Sequence, residues 1–230
     1  MESIMKPSNP VVLFVLLALL LASCSDSATG PENGATVTLN LLSAPAPAKE
    51  ASTAVVLQSA KVLLKHVRFQ HESSNDSLDV KTGIVAVELS LSGGSTEFAV
   101  APVTVGIYDQ VRFRLHKPED TEPIPDPEFR EGAGGDQRYS VIVRGTYNGT
   151  PFVYKSRQNA EQRINIAPAL TVVSGEPVNV TLLVDPAMWF MNGGTAIDPT
   201  DQQNADHIDN QIRASFRSAF RDNNKDGNPD

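Results

Sequence analysis

One cysteine in 230 residues, Cys24, rules out an internal disulfide and any cluster of thiolate ligands around a metal. The four histidines, His66, His71, His116 and His207, do not fall at the His-x-x-x-His spacing of a helix-borne zinc pair. No Gly-x-Ser-x-Gly elbow and no glycine-rich phosphate loop occurs, so the serine-hydrolase and nucleotide-binding signatures are both missing. Aromatic residues make up only 6% of the chain, which leaves Val, Leu and Ile to build a core. Positive charge is also short: 19 basic residues face 27 acidic ones, a net charge of −8. That balance argues against nucleic acid as a partner, because a phosphate backbone is held by basic patches. Among enzymes, the class left open is a hydrolase with a carboxylate pair that no motif singles out. The absences together favour a protein that binds or supports rather than one that catalyses.

Long apolar runs are lacking too, with one exception. Val11–Leu21 is apolar without interruption, about half of the ~20 residues that a membrane-spanning helix needs. A short apolar run after a polar start, ending in small residues, reads as a secretory signal over residues 1–23. The stretch Leu21-Ala22-Ser23-Cys24 at its end resembles the lipobox of bacterial lipoproteins. In that class the cysteine becomes the acylated first residue, so the resemblance implies lipid attachment at Cys24 and a membrane as partner. Several acyl chains anchor stably, each buried CH₂ contributing about 0.8 kcal/mol. Ser25 follows the cysteine and Asp26 comes one position later, which by the same resemblance favours the outer membrane. Residues 24–34 have the Ser, Asp, Thr, Gly and Pro composition of a flexible tether.

What the chain has in quantity is alternation. Val37, Leu39 and Leu41 alternate with polar residues, as do Val111, Phe113 and Leu115; Val85, Val87, Leu89 and Leu91 form another alternating set. Tyr139, Val141, Val143 and Tyr147 continue the pattern, and Val178, Val180, Leu182 and Val184 close it. A period of two marks strands with one buried face. Between Lys61 and Gln70, Val62 and Leu64 fall out of phase with Val67 and Phe69, and a bulge near Lys65-His66 restores them to one face. Asn148-Gly149 predicts a tight hairpin, and Gly93-Gly94 and Ser174-Gly175 further turns. About nine or ten strands without intervening helices predict a mainly β fold over residues 35–200: an antiparallel β-sandwich of transthyretin or immunoglobulin type. Residues 117–137, with four prolines and seven acidic residues, read as an irregular insertion, either disordered or a binding loop.

Near the C-terminus the period changes. Ala205, Ile208, Ile212, Phe216 and Phe220 recur every three or four residues and predict an amphipathic α-helix over residues 201–221. It would cover an edge of the sandwich or lie on a membrane surface. The tail, residues 222–230, sets oxygen-bearing side chains at Asp222, Asn224 and Asp226, followed by Gly227, Asn228 and Asp230. This resembles the first half of the Asp-x-Asn-x-Asp-Gly calcium loops of EF-hands and thrombospondin-type repeats, without the glutamate of position twelve. Two readings stand: a weak calcium site, the one cofactor suggested, or a solvated polar tail. Trp189-Phe190 likewise has two readings, an exposed pair that stacks on a sugar ring or a plug beneath the helix.

Gly106-Ile107-Tyr108-Asp109-Gln110-Val111-Arg112, preceded by Val87-Glu88-Leu89 and followed by the alternating run to Asp185, resembles a family of bacterial lipoproteins with a Gly-x-Tyr-x-x-Ile/Val-Arg signature. The resemblance implies a transthyretin-like or carbohydrate-binding-like sandwich, and no activity. Gly106 is expected to take an unusual backbone angle, and Tyr108 to bury its ring and bond a nearby backbone group. The function expected is that of a lipid-anchored, non-catalytic module of the cell envelope. Its partner would be a polysaccharide or an envelope protein, with a carbohydrate-binding surface lipoprotein as the alternative.

Overall fold

In the computed structural model the alternating segments become strands. Residues 34–44, 54–72, 77–81 and 83–230 are described; the signal sequence and Cys24 lie outside them. The elements are β1 (Gly34–Ser43), β2 (Val55–His71), β3 (Ser77–Lys81), β4 (Val85–Glu88), β5 (Gly94–Thr104) and β6 (Gly106–Leu115), then β7 (Val141–Tyr147), β8 (Thr150–Ser156), β9 (Ala160–Val172) and β10 (Val178–Val184). A two-residue ribbon, β11 (Met191–Asn192) with β12 (Thr195–Ala196), leads to α1 (Ala205–Ala214) and β13 (Phe216–Arg221). Eleven strands form one sheet in the order β5-β1-β10-β13-β9-β6-β2-β7-β8, with β3 and β4 also paired to β2. The sheet curls on itself as a half-barrel, a mainly β, sandwich-like fold. Its two halves meet at the single pair Ala219–Ile166 between β13 and β9, and β3 and β4 come against β5 on the far side.

The inward positions of both halves share one core. Val37, Leu39 and Leu41 of β1 and Val180, Leu182 and Val184 of β10 pack in it with Val111 and Phe113 of β6. Leu64 and Val67 enter this core from either side of the bulge foreseen at Lys65-His66, where the pairing of β2 with β6 shifts register and His66 takes φ 55°. The Asn148-Gly149 turn has both residues at positive φ, 49° and 80°, closing the β7–β8 hairpin. Both residue types tolerate that region, and a β-branched residue there would splay the strands.

Three expectations are corrected. The sheet is mixed: β1 pairs with β10, and β13 with β9, in parallel. Strands two to nine intervene between the first pair, and β10 with α1 between the second, which supplies the long connections that parallel neighbours require. The helix stops at Ala214, where Ser215 Oγ donates to the Ile212 carbonyl, and Phe216–Arg221 is a strand. A spacing of four is even, so Phe216 and Phe220 fit a strand as readily as a helix; the free edges of β10 and β9 decide between them. Third, residues 117–137 are ordered. Asp126 caps a 3-10 turn at Pro127–Phe129, and Phe129 is fully buried against Leu63, Tyr139 and Ile142. Leu63 and Ile142 are apolar residues on the outer face of the sheet, and the loop is what keeps water from them.

Candidate functional site

The loop divides the outer face of the sheet in two. Over the first half of β2 and over β7 it forms a latch that gathers negative charge onto basic side chains. Lys61 pairs with Asp126 at 2.9 Å and with Glu128 at 3.2 Å, Lys65 pairs with Glu122, and Arg138 with Asp120 at 2.7 Å. Arg144 meets Glu128 at 3.2 Å, and Lys155 meets Glu131. Glu122 sits at the centre, with His116 Nε2 2.6 Å from its second oxygen. Burial works to raise its pKa, but hydrogen bonds from His116 and Lys65 outweigh that and hold the carboxyl at about 2.

Over the second half of β2 and over β6 and β9 the outward side chains are polar, and register arranges them in rows. Arg68 lies opposite Arg112, and Arg112 opposite Arg163, so three arginines occupy paired positions on three adjacent strands. Strands are spaced by about 4.8 Å, and like charges directly opposite one another are destabilising. Beside this row runs a neutral one, Gln70, Gln110 and Asn165, in which Gln110 Nε2 donates to Asn165 Oδ1 at 3.1 Å. Arg112 Nε donates to Gln110 Oε1 at 2.6 Å, and Arg163 bonds Glu161 at 3.2 Å. A recess of about 260 Å³ opens among His66, Arg68, Arg112, Arg114, Phe113 and Glu161. The bulge that keeps both halves of β2 facing the core thus also brings His66 to its wall. This face is missed by sequence reasoning. Arg112 and Arg114 are visible there as the polar partners of an alternating strand, but which residues of β2 and β9 stand beside them is a matter of register.

The sites foreseen in the sequence fare differently. Trp189 and Phe190 are buried, which corrects the sugar-stacking reading: Trp189 Nε1 donates to Ser215 Oγ at 2.7 Å, and Phe190 meets Phe152 and Tyr154 edge-on. The pair is the plug between sheet and helix. Tyr108 is buried and its hydroxyl bonds the Thr104 carbonyl at 3.1 Å, as expected. Gly106 does not take a positive φ. What it permits is close approach, since a Cβ there would lie 2.8 Å from His71 Nε2. In the tail, Asn224 and Asp226 lie side by side at 3.1 Å, while Asn228 donates its backbone N–H to Asp226 at 2.8 Å. Asp230 accepts from the Asn223 N–H at 2.8 Å and faces Arg221 at 3.7 Å. Cys24 lies outside the described residues.

No family model matches the chain, and no curated protein does. Among solved structures it is similar to MbnP from Methylosinus trichosporium, with 8% identity, a TM-score of 0.45, and coverage of 74% of this chain and 82% of that one.

Proposed function

We propose that this chain is a lipid-anchored, non-catalytic module of the bacterial cell envelope that binds an acidic polysaccharide on the outer face of β2, β6 and β9. The anchor is read from Leu21–Cys24. The binding half rests on one observation, the Arg68–Arg112–Arg163 row in a chain of net charge −8. Guanidinium groups stay charged at every accessible pH, so they suit recognition of carboxylate, sulfate or phosphate rather than acid–base chemistry. Three arginines at paired positions on strands about 5 Å apart match an array of regularly spaced anions better than one small ion. The adjoining amide row supplies donors and acceptors for neutral hydroxyls, which a polysaccharide carries beside its charges.

Binding to immobilised dextran sulfate, with neutral dextran as control, tests this. The expected result is retention on the sulfated matrix alone, weakening as salt screens the charges over about 8 Å at physiological ionic strength. Arg112→Gln/Arg163→Gln should lose that retention without a fall in melting temperature. Equal retention of the double variant would overturn the assignment of the site.

A further inference from the structure

The C-terminal tail is a closed loop rather than a loose end. After β13 the chain turns back over Asp222–Asp230, with Lys225 at φ 58° and Gly227 at φ 83°, and the Asp230 N–H returns to the Arg221 carbonyl at 3.0 Å. Asp222 is 1% exposed. One of its carboxylate oxygens, Oδ2, accepts from Thr181 Oγ1 at 2.9 Å and from the Gly227 N–H at 3.2 Å. The other, Oδ1, is buried and accepts from nothing. A buried carboxylate oxygen without a donor is costly, and a cation is one remedy. The Gly227 amide reaches Oδ2 from within the turn, so the Asp222 carboxylate borders the loop in which Asn224 and Asp226 lie side by side.

We propose that Asp222, Asn224 and Asp226 bind a calcium ion, with Asp222 Oδ1 as the anchoring ligand and the Asn228 carbonyl and water completing the shell. Only oxygen donors are present, which suits a hard cation and not a nitrogen- or sulfur-seeking one. Among the described residues no three His, Cys, Asp or Glu side chains gather, so the set has two carboxylates, completed by amide and main-chain oxygens. With so little charge, the dissociation constant belongs with extracellular modules, on the order of 10⁻⁴–10⁻³ M. The consequence is structural. Asp222 is tied to β10 through Thr181 and through its own N–H to the Asn179 carbonyl, and Gly227 packs so closely on Leu42 of β1 that a Cβ would lie 3.0 Å from it. Calcium would therefore clamp β13, the strand that joins the two halves of the sheet.

Equilibrium dialysis of the purified full-length protein against radioactive calcium, with thermal unfolding in calcium or magnesium, tests the site. Expected are one ion per chain and a rise in melting temperature of a few degrees at about ten times the dissociation constant. The response to magnesium should be smaller, since that ion keeps its waters and demands tighter six-fold geometry. Asn224→Ala/Asp226→Ala alters exposed side chains and should fold normally while losing bound calcium and the shift. Asp222→Asn keeps the shape of the buried group and should weaken binding at least tenfold. No stoichiometric calcium in the native protein, equal responses to both ions, or calcium retained by the double variant would each overturn the proposal.

Discussion

Glu122 carries a clear electrostatic consequence at the scale of one residue. Its folded-state pKa of about 2 lies below the ordinary 4.5, so it contributes stability that is complete above the ordinary value and lost as pH falls from there toward 2. Glu122→Gln removes this contribution. The variant should be less stable at pH 7 by about 1–2 kcal/mol, a figure discounted for partial solvent screening. Its denaturation midpoint should then converge on that of the native protein as pH approaches 2, in chemical unfolding followed across that range. Parallel curves with a constant gap would mean that the residue acts by packing alone. Gly106 shows what a single residue conceals in sequence: its identity suggests a backbone angle, whereas its use is the space taken by the His71 ring.

At the scale of elements, the latch and the outer face depend on each other. Phe129 closes over Leu63 and Ile142, and the ion pairs around it hold the loop flat on β2 and β7. Phe129→Ala removes a fully buried ring, at a cost of about 3 kcal/mol by the usual large-to-small scale. Local opening should come first, because the cluster is small and separate from the main core. Brief trypsin treatment should therefore cut the variant at Arg130 and Arg138 while sparing the native protein. An equally resistant variant would show that charge pairing holds the loop without its apolar pin. The C-terminal segment teaches the complementary lesson. Its spacing suits a helix of five turns, yet its last six residues are the strand that bridges β10 and β9, because two unpaired sheet edges satisfy more backbone groups than a lone helix end.

For the whole molecule, the proposed anchor sits ten residues before Gly34, where β1 begins, so any tether is short. Cys24→Ser should release the protein from membranes in a salt-washed fractionation of expressing cells. Persistence of the serine variant in the membrane pellet after washing would remove the lipid anchor from the proposed function.

Period-two alternation, the bulge at Lys65-His66 and the Asn148-Gly149 hairpin were all readable, because each follows from which side of a strand a residue faces and from what φ it tolerates. By itself the sequence determined a mainly β fold, one hairpin, the buried residues of β1, β6 and β10 and the buried role of Tyr108. Pairing between strands distant in the chain was decided only in the tertiary structure: the parallel neighbours β1 and β10, the strand at Phe216–Arg221 and the row of three arginines. Alternation says which face a side chain takes but not which strand lies beside it or at what register, and a site made across strands exists only once the register is set.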